Sequence, residues 1–152
     1  MTIVKSHRCW DISFISFLML ILLMSLATYQ RNKIWKDDLS LWSDIVRKSP
    51  RKARAYQYLG LAFHDAGDLD RAIAAYKESL SLNPLQADAH NNIGVSYFYR
   101  GDVDTAITHF KHAIKIDPSR SDAHYNLGIA YGEKGLFDLA HEEISRGLRP
   151  NR

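Results

Sequence analysis

Apolar and polar positions follow two different patterns along this chain. Between Ile12 and Tyr29 the residues are apolar almost without interruption, and none of them is charged. From about residue 37 onward, apolar residues recur every three or four positions, which is the spacing of a helix with one buried stripe. The two patterns together predict an all-α chain, in which a helix that is apolar on every side precedes several amphipathic helices.

The apolar segment Ile12–Tyr29 predicts a membrane anchor. Its 18 residues would extend over about 27 Å as a helix, which just covers the hydrocarbon core of a bilayer. Trp10 and Tyr29 flank the segment, and aromatic residues are frequent at membrane interfaces. We therefore expect residues 1–30 to contain a basic start and one membrane span.

A cleaved signal peptide is the alternative for the same segment. Lys5 and Arg8 would form its basic start, and the small residues around Ala27 would suit a signal peptidase. The run is long for a signal peptide, and Asp11 interrupts the basic start, so a retained anchor is preferred. With cleavage after Ala27 the chain would instead be a secreted repeat protein.

From Ala53 onward the sequence repeats itself with a period of 34 residues, in units 53–86, 87–120 and 121–152. The eighth place of each unit holds a glycine, and the twentieth place holds an alanine. These small residues are expected where two helix backbones approach closely. They are Gly60, Gly94, Gly128, Ala72, Ala106 and Ala140.

Each unit also carries the signals of a helical hairpin. The fifteenth place is Gly67, Gly101 or Gly135, and glycine readily adopts the left-handed conformation that ends a helix. Asp68 and Asp102 follow at once and are suited to cap the second helix. Leu136 replaces them in the third unit, so a weaker cap is expected there. Prolines at positions 84 and 118 close the first two units.

These repeated places resemble the tetratricopeptide repeat (TPR) family over about two thirds of the chain. The resemblance implies an α-solenoid of three helical hairpins that binds other proteins and has no catalytic centre. Residues 31–52 would then form a basic juxtamembrane segment and a half-repeat. Its helix, Asp37 to Ser49, would cover the first repeat with Leu39, Trp42 and Val46.

In such solenoids the first helix of each hairpin lines a concave groove, and a protein or peptide partner is expected there. Asn92 and Asn126 occupy the same place one repeat apart, and they resemble the asparagine ladder of O-GlcNAc transferases, which holds an extended peptide. Tyr58 interrupts this ladder in the first unit. The alternative is that the asparagines bond only to neighbouring backbone or water. The other predicted groove residues are Arg54, Asn91, Val95, Phe98, Tyr99 and Ile129.

Aromatic residues add to the predicted groove surface. Phe98, Tyr99 and Tyr125 would be interaction hot spots, with ordinary packing between hairpins as the alternative, preferred for Tyr125. The set of Lys and Arg residues by which some family members bind a C-terminal carboxylate is absent, so a receptor for chaperone tails is not expected. The uncapped outer face of Phe137 to Leu148 is expected to contact a partner or a second copy of the chain, and the alternative is that it is polar enough to face solvent.

Charge and composition bound the remaining functions. Residues 31–54 hold eight Lys/Arg against three Asp/Glu, whereas residues 55–152 hold ten against thirteen. A nucleic-acid-binding protein would carry its positive charge on the folded repeats, so that class is not expected. No phosphate loop, nucleophile motif or paired-cysteine site is present. Neither an enzyme nor a cofactor is therefore expected.

The seven histidines invite a metal site, since His109 and His112 stand three apart on a predicted helix. His90 and His124 share the fourth place of their units. A zinc site needs further ligands with support behind them, so surface or packing roles are preferred and no metal is expected.

The junction between anchor and repeats has a resemblance of its own. The stretch from Arg31 to Pro50, with Trp35 and Trp42, is similar to the end of the last membrane span in bacterial relatives of the transmembrane-and-TPR O-mannosyltransferases. This implies an accessory part or a detached tail of a membrane glycosyltransferase. It also implies repeats on the periplasmic side, although Arg31, Lys33 and Lys36 mildly favour the cytoplasm by the positive-inside rule.

Overall fold

A computed structural model describes residue 14, residues 16–26 and residues 37–148. All regular structure in these ranges is helical, which confirms the predicted all-α class. The chain divides into two compact units, one up to Leu41 and one from Trp42 onward, and each is described by itself.

The first unit contains helix α1, over residues 16–26. Its large apolar side chains, among them Phe17, Leu22 and Met24, are exposed. Within the described ranges, no helix is both long and apolar enough to cross a membrane. The predicted anchor Ile12–Tyr29 extends past α1 on both sides, and residues 12, 13, 15 and 27–29 lie outside the described part of the chain, as do residues 31–36.

Helix α2, Asp38–Lys48, lies where a half-repeat helix was predicted. Asp37 caps it, because the Ser40 amide donates to the Asp37 carboxylate at 2.7 Å. That bond lowers the pKa of Asp37. In its C-terminal half, α2 contributes Trp42 to the second unit, where the Trp42 ring stacks on Tyr58 with centroids 4.4 Å apart.

Three helical hairpins make up the rest of the second unit. Each pairs a first helix of 13 residues with a second helix of 11 to 14 residues. The first hairpin is α3, Ala53–Asp65, with α4, Leu69–Leu82; the second is α5, Ala87–Tyr99, with α6, Val103–Ile116; the third is α7, Ser121–Glu133, with α8, Phe137–Gly147.

The turn within each hairpin follows the sequence signals. Gly67, Gly101 and Gly135 have φ of 79°, 87° and 73°, the left-handed conformation that glycine adopts without strain. Asp68 then accepts a hydrogen bond from the Arg71 amide at 3.0 Å. Asp102 does the same for Thr105 at 3.2 Å, whereas Leu136 provides no cap. These observations confirm the predicted caps and the weaker third one.

The eighth-place glycines leave room for the residue at the twenty-fourth place of the repeat. In the first two hairpins the ring of that residue supplies the three atoms nearest to a Cβ built on the glycine. A Cβ atom on Gly60 would stand 2.5 Å from the Tyr76 ring, and one on Gly94 would stand 2.6 Å from the Phe110 ring. At Gly128 the nearest atoms include backbone, since a Cβ there would lie 3.0 Å from the Ala140 carbonyl oxygen.

The core runs continuously through the three hairpins. Ala72, Ala106 and Ala140 are buried in it, together with the rings of Tyr76 and Phe110. Burial thins out at the last helix, where Ala140 is the buried residue. The exposed apolar side chains there are Leu136, Phe137, Leu139 and Leu148.

Candidate functional site

The first helices of the hairpins lie side by side, because α5 contacts both α3 and α7. The second, sixth and ninth places of each unit therefore form one surface, which we call the first-helix face. Its members are partly or fully exposed. They are Arg54, Tyr58 and Leu61 on α3, Asp88, Asn92 and Val95 on α5, and Asp122, Asn126 and Ile129 on α7.

Asn92 is the open polar residue of this face. Its side chain is half-buried, and it makes no hydrogen bond within residues 37–148. Its backbone carbonyl accepts the Ser96 hydroxyl at 3.0 Å, and Ser96 in turn meets the His64 ring nitrogen at 3.2 Å. The helix beneath Asn92 is thus fixed, while its amide remains available to a ligand.

Asn91, which was predicted for the groove, has a different place. It is only 5% exposed. Its amide nitrogen donates to Asp122 at 3.4 Å, and its carbonyl oxygen accepts from Asn126 at 3.0 Å. Asn91 therefore joins α5 to α7 and is not available to a ligand. Asn126 uses its nitrogen in that contact, but its carbonyl oxygen accepts no hydrogen bond from the described residues.

The ninth-place residues give the face an aliphatic row. Leu61 is 42% exposed and Ile129 is 39% exposed. Val95 lies between them in repeat order and packs partly against the core. One aliphatic side chain from each repeat can therefore contact a ligand that runs across the three first helices.

The predicted aromatic residues separate into two groups. Phe98 packs against the core, so its main role is packing. Tyr99 is 70% exposed, and the His64 ring lies edge-on to it at 5.6 Å. Tyr125 is 52% exposed, so about half of its surface is open to a partner, and the preference for packing at this residue stays a prediction.

Arg54 and Tyr58 lie at the N-terminal end of the face. The Tyr58 ring is covered by Trp42, and the Arg54 guanidinium lies 6.0 Å from the Tyr58 ring centroid. These residues border a shallow cleft of about 390 Å³, which Ile45 and Ala53 also line. Trp42 thus covers Tyr58, the residue at the place that asparagine holds in the next two repeats.

Ion pairs of one arginine join the second and third hairpins beside the first-helix face. Arg120 contacts Asp88 on α5 and pairs with Asp122 on α7 at 2.8 Å. The hydrogen bond from Arg120 lowers the pKa of Asp122. Arg120 thereby orients both carboxylates at the N-termini of their helices.

Three histidines meet away from the first-helix face, on the second hairpin. His90 comes from α5, and His109 and His112 come from consecutive turns of α6. One nitrogen of each can be chosen so that all three atoms lie within 4.8 Å of one another. The Nδ1 atoms of His90 and His109 are 3.3 Å apart. The sequence placed His109 and His112 on one helix face, but it did not join them to His90.

Comparison with known proteins identifies the repeats. A family model described as TPR repeat matches residues 60–99 and 96–135, which together cover half of the chain. The chain belongs to the tetratricopeptide repeat family. No match to a curated protein sequence was found.

Solved TPR structures share the fold. Two structures of MamA are each 31% identical to this chain and cover 72% of it, with TM-scores of 0.68 and 0.67. The chain spans only 64% and 60% of those MamA chains. The second TPR of Spaghetti (RPAP3), solved with the HSP90 peptide SRMEEVD, is 24% identical, with a TM-score of 0.62, and the match covers 64% of this chain and 90% of that one.

The TPR pattern itself contains the signal that would have predicted the histidine cluster. His90 holds the fourth place of its TPR unit, and His109 and His112 hold the twenty-third and twenty-sixth places. The fourth and twenty-third places also meet in the third unit, where His124 pairs with Glu143 at 2.6 Å. Reading these places across the hairpin, and not along one helix, brings the three histidines together.

Proposed function

We propose that this chain is a protein-interaction scaffold that holds an extended peptide against its first-helix face. The observation that carries the proposal is the Asn92 amide, which is half-buried and makes no hydrogen bond within the described residues. A primary amide offers both a donor and an acceptor, so it can pair with the backbone of a peptide of any sequence. The carbonyl oxygen of Asn126 supplies a second acceptor one repeat away.

The aliphatic row supplies the apolar part of the same surface. Leu61, Val95 and Ile129 stand one repeat apart, next to the amides. A strand-like peptide points alternate side chains to opposite sides, so one set can contact these residues while the backbone faces Asn92. The exposed Tyr99 ring extends the contact at the C-terminal end of α5.

Charge on the first-helix face favours a neutral or basic peptide. Its charged members are Arg54, Asp88 and Asp122, and the two carboxylates contact Arg120. The RPAP3 structure was solved with an HSP90 peptide, which supports a peptide as the occupant of a TPR surface. That peptide is acidic, whereas this face carries a single arginine, so a different peptide class is proposed.

A peptide array tests the proposal directly. The full chain would be screened against unbiased peptides, and the affinity of the best binder would then be measured for the parent and for the Asn92→Ala variant. Loss of two backbone hydrogen bonds should weaken binding about tenfold or more. Folding should be unaffected, because the Asn92 side chain holds no other residue.

Asn83→Ala is the matched control, because Asn83 is an exposed asparagine at the end of α4, away from the first-helix face. It should bind the peptide as the parent does. A backbone-directed amide also predicts that scrambling the peptide residues opposite Asn92 changes affinity little. Equal affinities for the parent and the Asn92→Ala variant would exclude this mode of binding.

Membrane attachment through Ile12–Tyr29, with the repeats on the periplasmic side, is a further part of the proposal. The uncharged apolar run and the exposed apolar side chains of α1 support it. Protease treatment of cells with an exposed cytoplasmic membrane would test it through a tag at Arg152. Digestion of the tag, with the N-terminal mass still matching Met1, would fit the proposal, whereas a protected tag would place the repeats in the cytoplasm. An N-terminus after Ala27 would indicate secretion instead.

Two further associations were predicted from the sequence, one with a membrane glycosyltransferase and one through α8, and each can be tested. The similarity of the Arg31–Pro50 run to glycosyltransferase tails would gain support from an open reading frame for further membrane spans just upstream in the DNA. A partner contact at α8 has support from the exposed Phe137 and Leu139 side chains. The oligomeric state of a Phe137→Ser variant, compared with the parent, would test for self-association through that helix.

A further inference from the structure

The second hairpin contains a group of three imidazoles that does not belong to the proposed peptide-binding surface. His90 is half-buried on α5, His109 is half-buried on α6, and His112 is exposed one turn later. The ring centroids are 5.5 Å apart for His90 and His109, 5.3 Å for His90 and His112, and 6.3 Å for His109 and His112. The rings therefore surround one common point at the edge of the hairpin.

The spacing of the ring nitrogens fits a tetrahedral metal site. Zinc–nitrogen bonds are about 2.0–2.1 Å long, so two imidazole nitrogens on one tetrahedral zinc ion are about 3.3–3.4 Å apart. The Nδ1 atoms of His90 and His109 are already 3.3 Å apart. One nitrogen of each of the three histidines lies within 4.8 Å of the other two, so the exposed His112 side chain has only to rotate inward to complete the set.

We propose that His90, His109 and His112 bind one divalent transition-metal ion of the zinc class, which clamps α5 to α6. Three imidazoles and no carboxylate or thiolate form a nitrogen donor set that suits zinc, copper and nickel and does not suit magnesium or calcium. Three protein ligands leave the fourth coordination position open to water or to a donor from outside the chain.

Burial acts on two of the three imidazoles. Burial, with further contributions from His90, His112 and Lys77, lowers the pKa of His109 to about 4. Burial and the neighbouring His112 lower the pKa of His90 as well.

Packing holds the central ligand in place. The Tyr97 ring stacks on His109, with centroids 5.6 Å apart and planes 14° apart. Lys77 donates to the Tyr97 hydroxyl at 3.1 Å, which fixes Tyr97 from the other side. The positive charge of Lys77 is close enough to lower the pKa of His109. The same charge would repel a cation bound there.

The neighbouring hairpin shows what these places contain when no metal is needed. Its equivalents of His90, His109 and His112 are His124, Glu143 and Arg146. His124 meets Glu143 at 2.6 Å and the Pro118 carbonyl at 3.1 Å, and Arg146 pairs with Glu143 at 2.8 Å. Protein groups satisfy both nitrogens of His124. In the second hairpin, by contrast, the described residues offer His90 only the weaker contact with another imidazole.

Metal titration of the full chain tests the proposal. The Cys9→Ser substitution would be present throughout, because it removes the only thiol. Calorimetry should detect one equivalent of zinc per chain, and cobalt in place of zinc should give the intense visible absorption of a four-coordinate site. Zinc should also raise the melting temperature, because an ion that binds only the folded state stabilises it.

His112→Ala is the decisive variant, because His112 is exposed and its removal should leave the metal-free fold intact. It should lower zinc affinity at least about tenfold and abolish the cobalt absorption. His141→Ala, which removes an exposed histidine of the third hairpin, should change neither. Lys77→Gln should leave zinc affinity equal or higher, since a like charge is removed. Absence of saturable zinc binding, or an unchanged zinc affinity in the His112→Ala variant, would overturn the proposal.

Discussion

The second and third hairpins have the same backbone plan, yet they stabilise the space between their helices in opposite ways. The second hairpin places His90 against His109 and His112. The third places His124 against Glu143 and Arg146, which form a closed set of hydrogen bonds and an ion pair. The same three repeat places thus carry either a complete polar network or three imidazoles that face one another.

The two hairpins also differ in how tightly their second helix is packed. The ring that covers Gly94 is Phe110, which is 1% exposed, and it lies in the middle of the core. The residue that covers Gly128 is Ile144, which is only half-buried, and α8 has Ala140 as its buried residue. The second hairpin is therefore the structural centre of the repeats, and the third is their looser edge.

Truncation of the two covering residues should have the largest effect on stability. Phe110→Ala should lower the free energy of unfolding by about 3–5 kcal/mol, the range for a fully buried aromatic residue. Ile144→Ala should cost roughly half as much, because part of its surface already contacts water. Urea denaturation followed by circular dichroism measures both, and equal losses would show that the third hairpin is packed as tightly as the second.

The difference in polar chemistry can be tested by placing the histidines of the second hairpin at the equivalent positions of the third. The double variant E143H/R146H gives the third hairpin the same three side chains as the second. Tyr131 stands at the place that Tyr97 holds beneath His109, so the supporting ring is present as well. We expect zinc calorimetry to rise from one to two equivalents per chain.

The same variant should destabilise the metal-free protein. Glu143 is the hydrogen-bond partner of the buried His124, and loss of such a partner costs about 1–3 kcal/mol. Zinc should raise the melting temperature of E143H/R146H by more than that of the single variant R146H, in which only the second hairpin would bind zinc. A single equivalent of zinc in the double variant would mean that these three places alone are not sufficient for a site.

The same two hairpins show what the sequence could and could not predict. The helix bounds, the left-handed glycines and the Asp68 and Asp102 caps depend on neighbours within a few residues, so local pattern sufficed for them. Asn91 was misplaced because the sixth and fifth places of a helix differ by one residue in sequence and by 100° in direction. Only the packing of α5 on α7 shows which of the two asparagines is buried.

The histidine cluster was missed for a related reason. His109 and His112 form a recognisable pair along one helix, but the third ligand is nineteen residues earlier, on the opposite side of a hairpin. Periodicity along a single helix does not predict contacts between the two helices of a hairpin. The covering of Gly60 and Gly94 by rings was missed likewise, since it depends on which rotamer the residue at the twenty-fourth place adopts.

The turns of the two hairpins provide the smallest expected contrast. Asp102 caps α6 through the Thr105 amide, so Asp102→Ala should lower the free energy of unfolding by about 1 kcal/mol. Leu136, with 43% of its surface exposed, gives α8 no cap, so Leu136→Asp should raise it by a similar amount. The glycine that precedes the cap has a similar conformation in the two turns, with φ of 87° at Gly101 and 73° at Gly135. An aspartate at position 136 should therefore be placed to accept a hydrogen bond from a backbone amide in the first turn of α8. Hydrogen exchange of the α8 amides would localise the gain: slower exchange confined to the first turns of α8 indicates a new cap, whereas unchanged exchange would mean that burial of Leu136 against its own hairpin outweighs the missing hydrogen bond.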